Sequence, residues 1–170
     1  MNKKPVVGIL MGSDSDWDVM EEAGKALQGF DIGFEMMVTS AHRTPERTHE
    51  YTKTAAERGL KILIVGAGAA AHLAGVVAAT TPLPVIGVPL SATDLKGMDA
   101  LLATVQMPGG IPVACMAIGK AGAKNAAIYA ARILALSDSG LAAKLEDFRI
   151  EMAEAVEKKD QALQLRLADL

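Results

Sequence analysis

Short apolar runs alternate with longer stretches of helical period along this chain. Residues 6–11, 34–38, 62–65, 85–88 and 113–117 read as strands, each bounded by glycine, proline or polar residues. Between them, residues 16–30 carry Val19, Met20, Ala23, Leu27 and Phe30 on one helical stripe. Residues 45–58 form a second helical pattern with Pro45 at its first position, where the missing N–H costs nothing. Small residues at 71–80, a short pattern at 97–104 and an alanine-rich one at 124–135 complete the series.

Regular alternation of strand and helix predicts a parallel sheet covered on both faces. The unbroken apolarity of Ile62-Leu63-Ile64-Val65 agrees, since a doubly covered strand has no polar side. The expected class is α/β, a flavodoxin-like three-layer sandwich with a five-stranded parallel sheet and an extra C-terminal helix. That extra helix is residues 141–170, with Leu145, Phe148, Ile150, Met152, Val156, Leu163, Leu165 and Leu167. It lies beyond the last strand, so it reads either as a frayed final helix or as an arm packing on a neighbouring subunit.

The chain has 170 residues, 51% of them hydrophobic, enough for one domain with its own core. A formal charge of −3 without a basic block argues against nucleic acid as partner, as does an aromatic content of 4%. Cys115 is the single cysteine, so no intrachain disulfide forms and a reducing, cytoplasmic setting is expected. Lys3 and Lys4 run straight into Pro5-Val6-Val7-Gly8-Ile9-Leu10-Met11 without a signal-peptide pattern. The apolar stretch at 66–90 is interrupted by Pro82, Pro84 and Pro89, so no membrane partner is expected.

Ligands of an open parallel sheet bind beyond the carboxyl ends of its strands, and the loops there hold unusual residues. Gly12-Ser13-Asp14-Ser15-Asp16-Trp17 opens a helix, whose free N–H groups and positive dipole end suit an anion. Ser13 can donate to a phosphoryl oxygen, while Asp16 suits ribose hydroxyls; equally, these residues can simply cap the helix. Ser40-Ala41-His42-Arg43-Thr44-Pro45 puts a planar guanidinium fork beside an imidazole that titrates near neutrality. His42 is therefore the candidate proton-transfer group and Arg43 a phosphate ligand, the alternative being a surface loop in which Thr44 caps the helix.

Gly66-Ala67-Gly68-Ala69-Ala70-Ala71-His72-Leu73 lets a ligand approach the backbone, but its glycine spacing fits neither a dinucleotide fingerprint nor a Walker loop. Here His72 either orients a substrate or caps a helix. A fourth region pairs Gln106-Met107-Pro108-Gly109-Gly110-Ile111-Pro112, a flexible lip, with Lys120, Lys124 and Asn125, which meet either substrate or solvent, the solvated reading leading for both lysines. No histidine–carboxylate spacing makes a metal site, and no cofactor is expected.

These motifs together, with Met11 before Gly12 and Val113 after Pro112, resemble the N5-carboxyaminoimidazole ribonucleotide mutase family of bacterial purine biosynthesis, over about residues 5–150. The resemblance implies a homo-octamer and an isomerase that moves a carboxyl group from an exocyclic nitrogen to a ring carbon of a nucleotide. It implies that Ser13, Asp16 and Arg43 bind the nucleotide and that His42 is general acid and base. Ser40 and the loop carrying Gly68, Ala69, His72 and Leu73 would line the pocket around the migrating carboxyl. Ala69 and Ala74 depart from the glycine and proline usual there. A related class that uses free carbon dioxide lacks the Ala-Ala-His stretch, so His72 and its neighbours point to the mutase class. The alternatives are that carboxylase, or a non-catalytic flavodoxin-like nucleotide-binding protein.

Overall fold

Gly8 through Met11 pair on both sides at once, with β2 on one flank and β3 on the other, so the first strand lies inside the sheet rather than at its edge. The computed structural model describes residues 3–168, in which β1 (Val7–Met11), β2 (Phe34–Val38), β3 (Ile62–Gly68), β4 (Val85–Leu90) and β5 (Ala114–Cys115) form one parallel sheet. Their order is β2-β1-β3-β4-β5, the flavodoxin-like arrangement with helices on both faces. The five predicted strands are all present. Met1 and Asn2, and Asp169 and Leu170 of the predicted tail, lie outside the described residues.

Strand residues alternate between two packed layers. Leu10, Leu63 and Val65 share a core with Leu73, Ala74 and Val77 of α3 (Leu73–Ala78), Ala55 beyond α2 (Pro45–Thr54) and Ala100 of α4 (Met98–Val105). On the other face Met20 of α1 (Trp17–Gly29) sits against Gly66, where a Cβ would strike its sulfur. A fifth helix, α5 (Lys120–Ala135), buries Ala123, Ala126, Ala127 and Ala130.

Several boundaries differ from those expected, for local reasons. The second helix stops at Thr54 rather than Arg58, and residues 55–59 wind on as turns to Gly59, whose φ of 97° only glycine takes readily. There Arg58 turns back to bond Glu35 of β2 and covers the Tyr51 ring at 4.4 Å. The third helix begins at Leu73, two residues late, because Ala69 takes a φ of 53° and Ala71 and His72 donate two residues back. The fifth begins four residues early, at Lys120, directly after Gly119 at φ 77°. The last strand is two residues long; Pro112 just before it cannot donate to a ladder.

The contacts divide the chain into two units at Ala130/Ala131. In the second, Asp138 accepts from the Leu141 N–H at 2.9 Å and so caps α6 (Ser139–Ala168), a helix of 30 residues. Every residue from 151 to 168 is exposed, Met152, Val156, Leu163, Leu165 and Leu167 included.

Gly122 lets the first turn of α5 close over the Ala117 carbonyl, since a Cβ there would overlap that oxygen. Backbone cannot step aside as a flexible side chain can. Gly122→Ala should therefore lower stability by about 1–3 kcal/mol, whereas Gly109→Ala, with nothing near its Cβ, should change it by under ~0.5 kcal/mol. Urea unfolding midpoints of the two variants check this.

Candidate active site

Register brings the carboxyl ends of the strands level. Met11 lies opposite both Val38 and Gly66, and Gly68 lies opposite Leu90. The chain leaves β1 for β2 on one side and reaches β3 on the other, so a crevice opens beyond β1 and β3. A cleft of about 520 Å3 occupies it, lined by Gly12, Ser13, Ser15, Asp16, Ser40, Ala41, His42, Arg43, Ala67, Gly68, Ala69, Ala70, Leu73 and Ala92.

Eight of the nine residues singled out from the sequence line this cleft: Ser13, Asp16, Ser40, His42, Arg43, Gly68, Ala69 and Leu73. The ninth, His72, meets it through another: its Nδ1 lies 2.9 Å from Nε2 of His42. The rings stand edge to face, 5.0 Å between centroids. One of the two facing nitrogens donates and the other accepts, so the contact holds a single proton. His72 makes no capping bond of its own.

The first loop is both a cap and a cleft wall. Ser13 Oγ accepts from Ser15 N–H at 3.3 Å, and Asp16 Oδ2 accepts from Ser13 N–H at 3.0 Å, a reciprocal capping box. The Ser13 hydroxyl lies 3.1 Å from Asp14 Oδ1, so a ligand must replace that bond. Burial raises the Asp16 pKa above the ordinary 3.8; bonds from the Ser13 and Gly12 backbone oppose the rise and Asp14 adds to it.

Arg43 spans the first two loops, its Nη2 3.4 Å from the Gly12 carbonyl, and its own N–H donates to Ser40 Oγ at 3.2 Å. On the opposite wall, Ala69 holds a left-handed backbone, the position where the family resemblance leads one to expect glycine. Gly68 supports that wall, because a Cβ there would come within 2.6 Å of Ala92.

In the fourth region the structure keeps the lip before β5 out of the cleft, while Lys120, Lys124 and Asn125 are exposed, as the solvated reading of the lysines has it. None of Gln106, Met107, Gly109, Gly110, Lys120, Lys124 or Asn125 lines the cleft. Residues 106–112 lead into β5 and so sit at a strand's amino end, where Met107 packs near Gly75 of α3. Conversely, Ala92 was not anticipated, although the loop after β4 leaves the same sheet edge as the others. A larger cavity of about 640 Å3, among Lys3, Lys4, Pro5, Gln28, Asp31, Ile32, Gly33 and Phe34, has no imidazole or hydroxyl in its wall. Among the described residues no three His, Cys, Asp or Glu side chains are grouped to hold a metal ion.

A family model described as AIR carboxylase matches residues 6–155. The chain belongs to the AIR carboxylase family. Within it, the chain is 52% identical over 164 residues to an N5-carboxyaminoimidazole ribonucleotide mutase of Mycobacterium leprae, covering 96% of this chain and 95% of that one. It is 54% identical over 159 residues to the protein of the same name from Bacillus subtilis, covering 93% and 98%. Among solved structures, Treponema denticola PurE matches with a TM-score of 0.84 at 31% identity, over 94% of this chain and 98% of that one. The AIR carboxylase fold and the predicted architecture therefore agree.

Because the folded Asp16 pKa is raised, the native state binds its proton more readily than the unfolded chain does. Its charge therefore lowers stability above the raised value, and that loss disappears as pH falls through it towards 3.8. Asp16→Asn should equal or exceed the native protein in stability at pH 7, with the advantage shrinking on acidification through this window. Paired denaturant titrations from pH 7 to pH 3.5 measure the difference.

Proposed function

We propose that this protein is an N5-carboxyaminoimidazole ribonucleotide mutase of purine biosynthesis, an isomerase in which His42 moves the protons. The observation that carries this reading is the convergence of His42 with Ser13, Asp16 and Arg43 on one cleft, in a chain of the AIR carboxylase family. Relatives at 52% and 54% identity bear the mutase name.

Arg43 and Ser13 bind the substrate phosphate, and Asp16 accepts from ribose hydroxyls. The exocyclic nitrogen carries its carboxyl as a carbamate. As the imidazolium, His42 gives that nitrogen a proton; the N–C bond breaks, its electron pair stays on nitrogen, and carbon dioxide is released into the cleft. The electron-rich ring carbon attacks the trapped carbon dioxide and a C–C bond forms. Neutral His42 then removes the ring proton and aromaticity returns, with no net proton exchanged. Ser40, Gly68, Ala69 and Leu73 surround the migrating group, and the small walls keep carbon dioxide against the ring instead of losing it to water. His72 Nδ1 accepts from Nε2 of the His42 imidazolium and holds its ring in place, so the proton in play is the one on Nδ1 of His42.

The protein acts in the cytoplasm as a homo-octamer, its catalytic domain followed by a tail, residues 141–170, that packs on a neighbouring copy. No described helix is long and apolar enough to cross a membrane. A helical segment exposed along 18 residues is marginal by itself, and helices draw most of their stability from packing an apolar face. Met152, Val156, Leu163 and Leu167 are about half exposed, so burying what remains against a second copy is worth about 1 kcal/mol for each side chain.

His42→Asn should retain ribonucleotide binding but lose turnover by at least about a hundredfold, while Arg43→Ala should chiefly weaken binding, in an ultraviolet assay of the N-carboxylated substrate. Near-native turnover by His42→Asn would end the assignment; turnover of aminoimidazole ribonucleotide with bicarbonate, but none of the N-carboxylated substrate, would shift it to the carboxylase class. Sedimentation should find an assembly of eight, and a monomeric full-length chain would remove the arm.

A further inference from the structure

The loop that carries His42 and Arg43 hangs from a column of threonines that the proposed chemistry does not use. Thr39 and Thr48 are 2% and 0% exposed, and Thr52, one turn deeper in α2, is also fully buried. Thr39 Oγ1 lies 2.8 Å from Thr48 Oγ1 and 3.3 Å from Thr44 Oγ1. The Thr44 hydroxyl donates to the Ser40 carbonyl at 3.1 Å and accepts from the Ser40 N–H at 3.0 Å. Thr52 donates to the Thr48 carbonyl at 2.7 Å, and Thr48 Oγ1 is 3.2 Å from the Thr44 carbonyl.

A hydroxyl has one proton, which orders the column. With Thr44 donating to Ser40 and Thr48 to the Thr44 carbonyl, Thr48 Oγ1 is left as acceptor for Thr39. Each proton is then used once, and the column runs from the end of β2, through the helix start, to the loop. Ser40 and Thr44 are the two ends of that loop, closed on each other by the Thr44 N–H at 2.9 Å. Between them, His42 and Arg43 are exposed.

We propose that Thr48, with Thr39, is a positioning residue for His42: its buried hydroxyl fixes the height and tilt of the loop that aims the imidazole at His72 and into the cleft. The proposal rests on the reading of His42 as the proton-transfer group. Thr48→Val keeps the shape and removes the acceptor for Thr39. Thr48→Ser keeps the hydroxyl. Thr52→Val removes an equally buried hydroxyl that does not reach the loop.

The test measures steady-state turnover, thermal midpoints and the imidazole NMR signals of His42 in all three variants. Thr48→Val should lose about 10–100-fold in kcat with little change in KM, with displaced His42 signals. Thr48→Ser should restore both, and Thr52→Val should lower the thermal midpoint but leave kcat and the His42 signals alone. Native kcat and native His42 signals in Thr48→Val would overturn the proposal. So would a loss of kcat in Thr52→Val that matches Thr48→Val at equal loss of stability. Should Thr48→Val not fold, Thr39→Val against Thr39→Ser decides, since each cuts or keeps the same bond from the other side; full turnover by Thr39→Val would then refute it. If His42→Asn itself proves active, the assigned chemistry fails, and displacement of the His42 signals still judges the positioning.

Discussion

The register of β1 against both neighbours is the constraint on which the cleft depends. Met11 faces Val38 and Gly66 at once, so the loops after the three strands leave the sheet at nearly one height. A strand advances about 3.3 Å per residue and turns its side chains over with each step. A slip of one position would carry Ser13 and Asp16 away from Arg43 and send Leu10 from one layer to the other. The glycines resist that slip, because Gly8 packs against Leu63 and Tyr51 and Gly66 against Met20, positions where a side chain has no room.

On this frame, fixed main chain and adjustable side chains share the work differently on the two walls. The first two loops present polar groups already bonded to one another, Ser13 with Asp14 and Asp16 with the Ser13 amide. Binding there is an exchange of partners, not a filling of empty valences. Asp16 is held against its own preference, since burial disfavours its charge, and its carboxylate costs the fold stability at neutral pH.

Much of this was legible in the chain before folding. The strands were visible because each apolar run is short and ends at a glycine, proline or polar residue, and the walls of the cleft were visible because His42, Arg43, Ser13 and Asp16 fall directly after such runs. Helix ends were less so. The late start of α3 follows from the left-handed Ala69, and the early start of α5 from Gly119, conformations that composition does not announce. The pairing of His42 with His72, thirty residues apart, is a tertiary event. So is the threonine network beneath the loop: Thr39, Thr44 and Thr48 carry no chemical signature in sequence, and only the return of α2 beside β2 aligns their hydroxyls. The lip at 106–112 was misplaced because glycine and proline mark a turn without saying at which end of a strand it lies.

The wall from Ala67 to Ala70, backed by Ala92, consists of main chain and methyl groups. Nothing in it can swing aside, and Gly68 leaves no room for anything larger beside Ala92. Descendants of this chain that drift towards bulkier ligands would thus find that side of the cleft closed to gradual change. Their adaptation would have to begin at Ser13, Ser15 or Ser40, or proceed by inserting residues, so that this short run of small amino acids sets the direction in which the family can evolve.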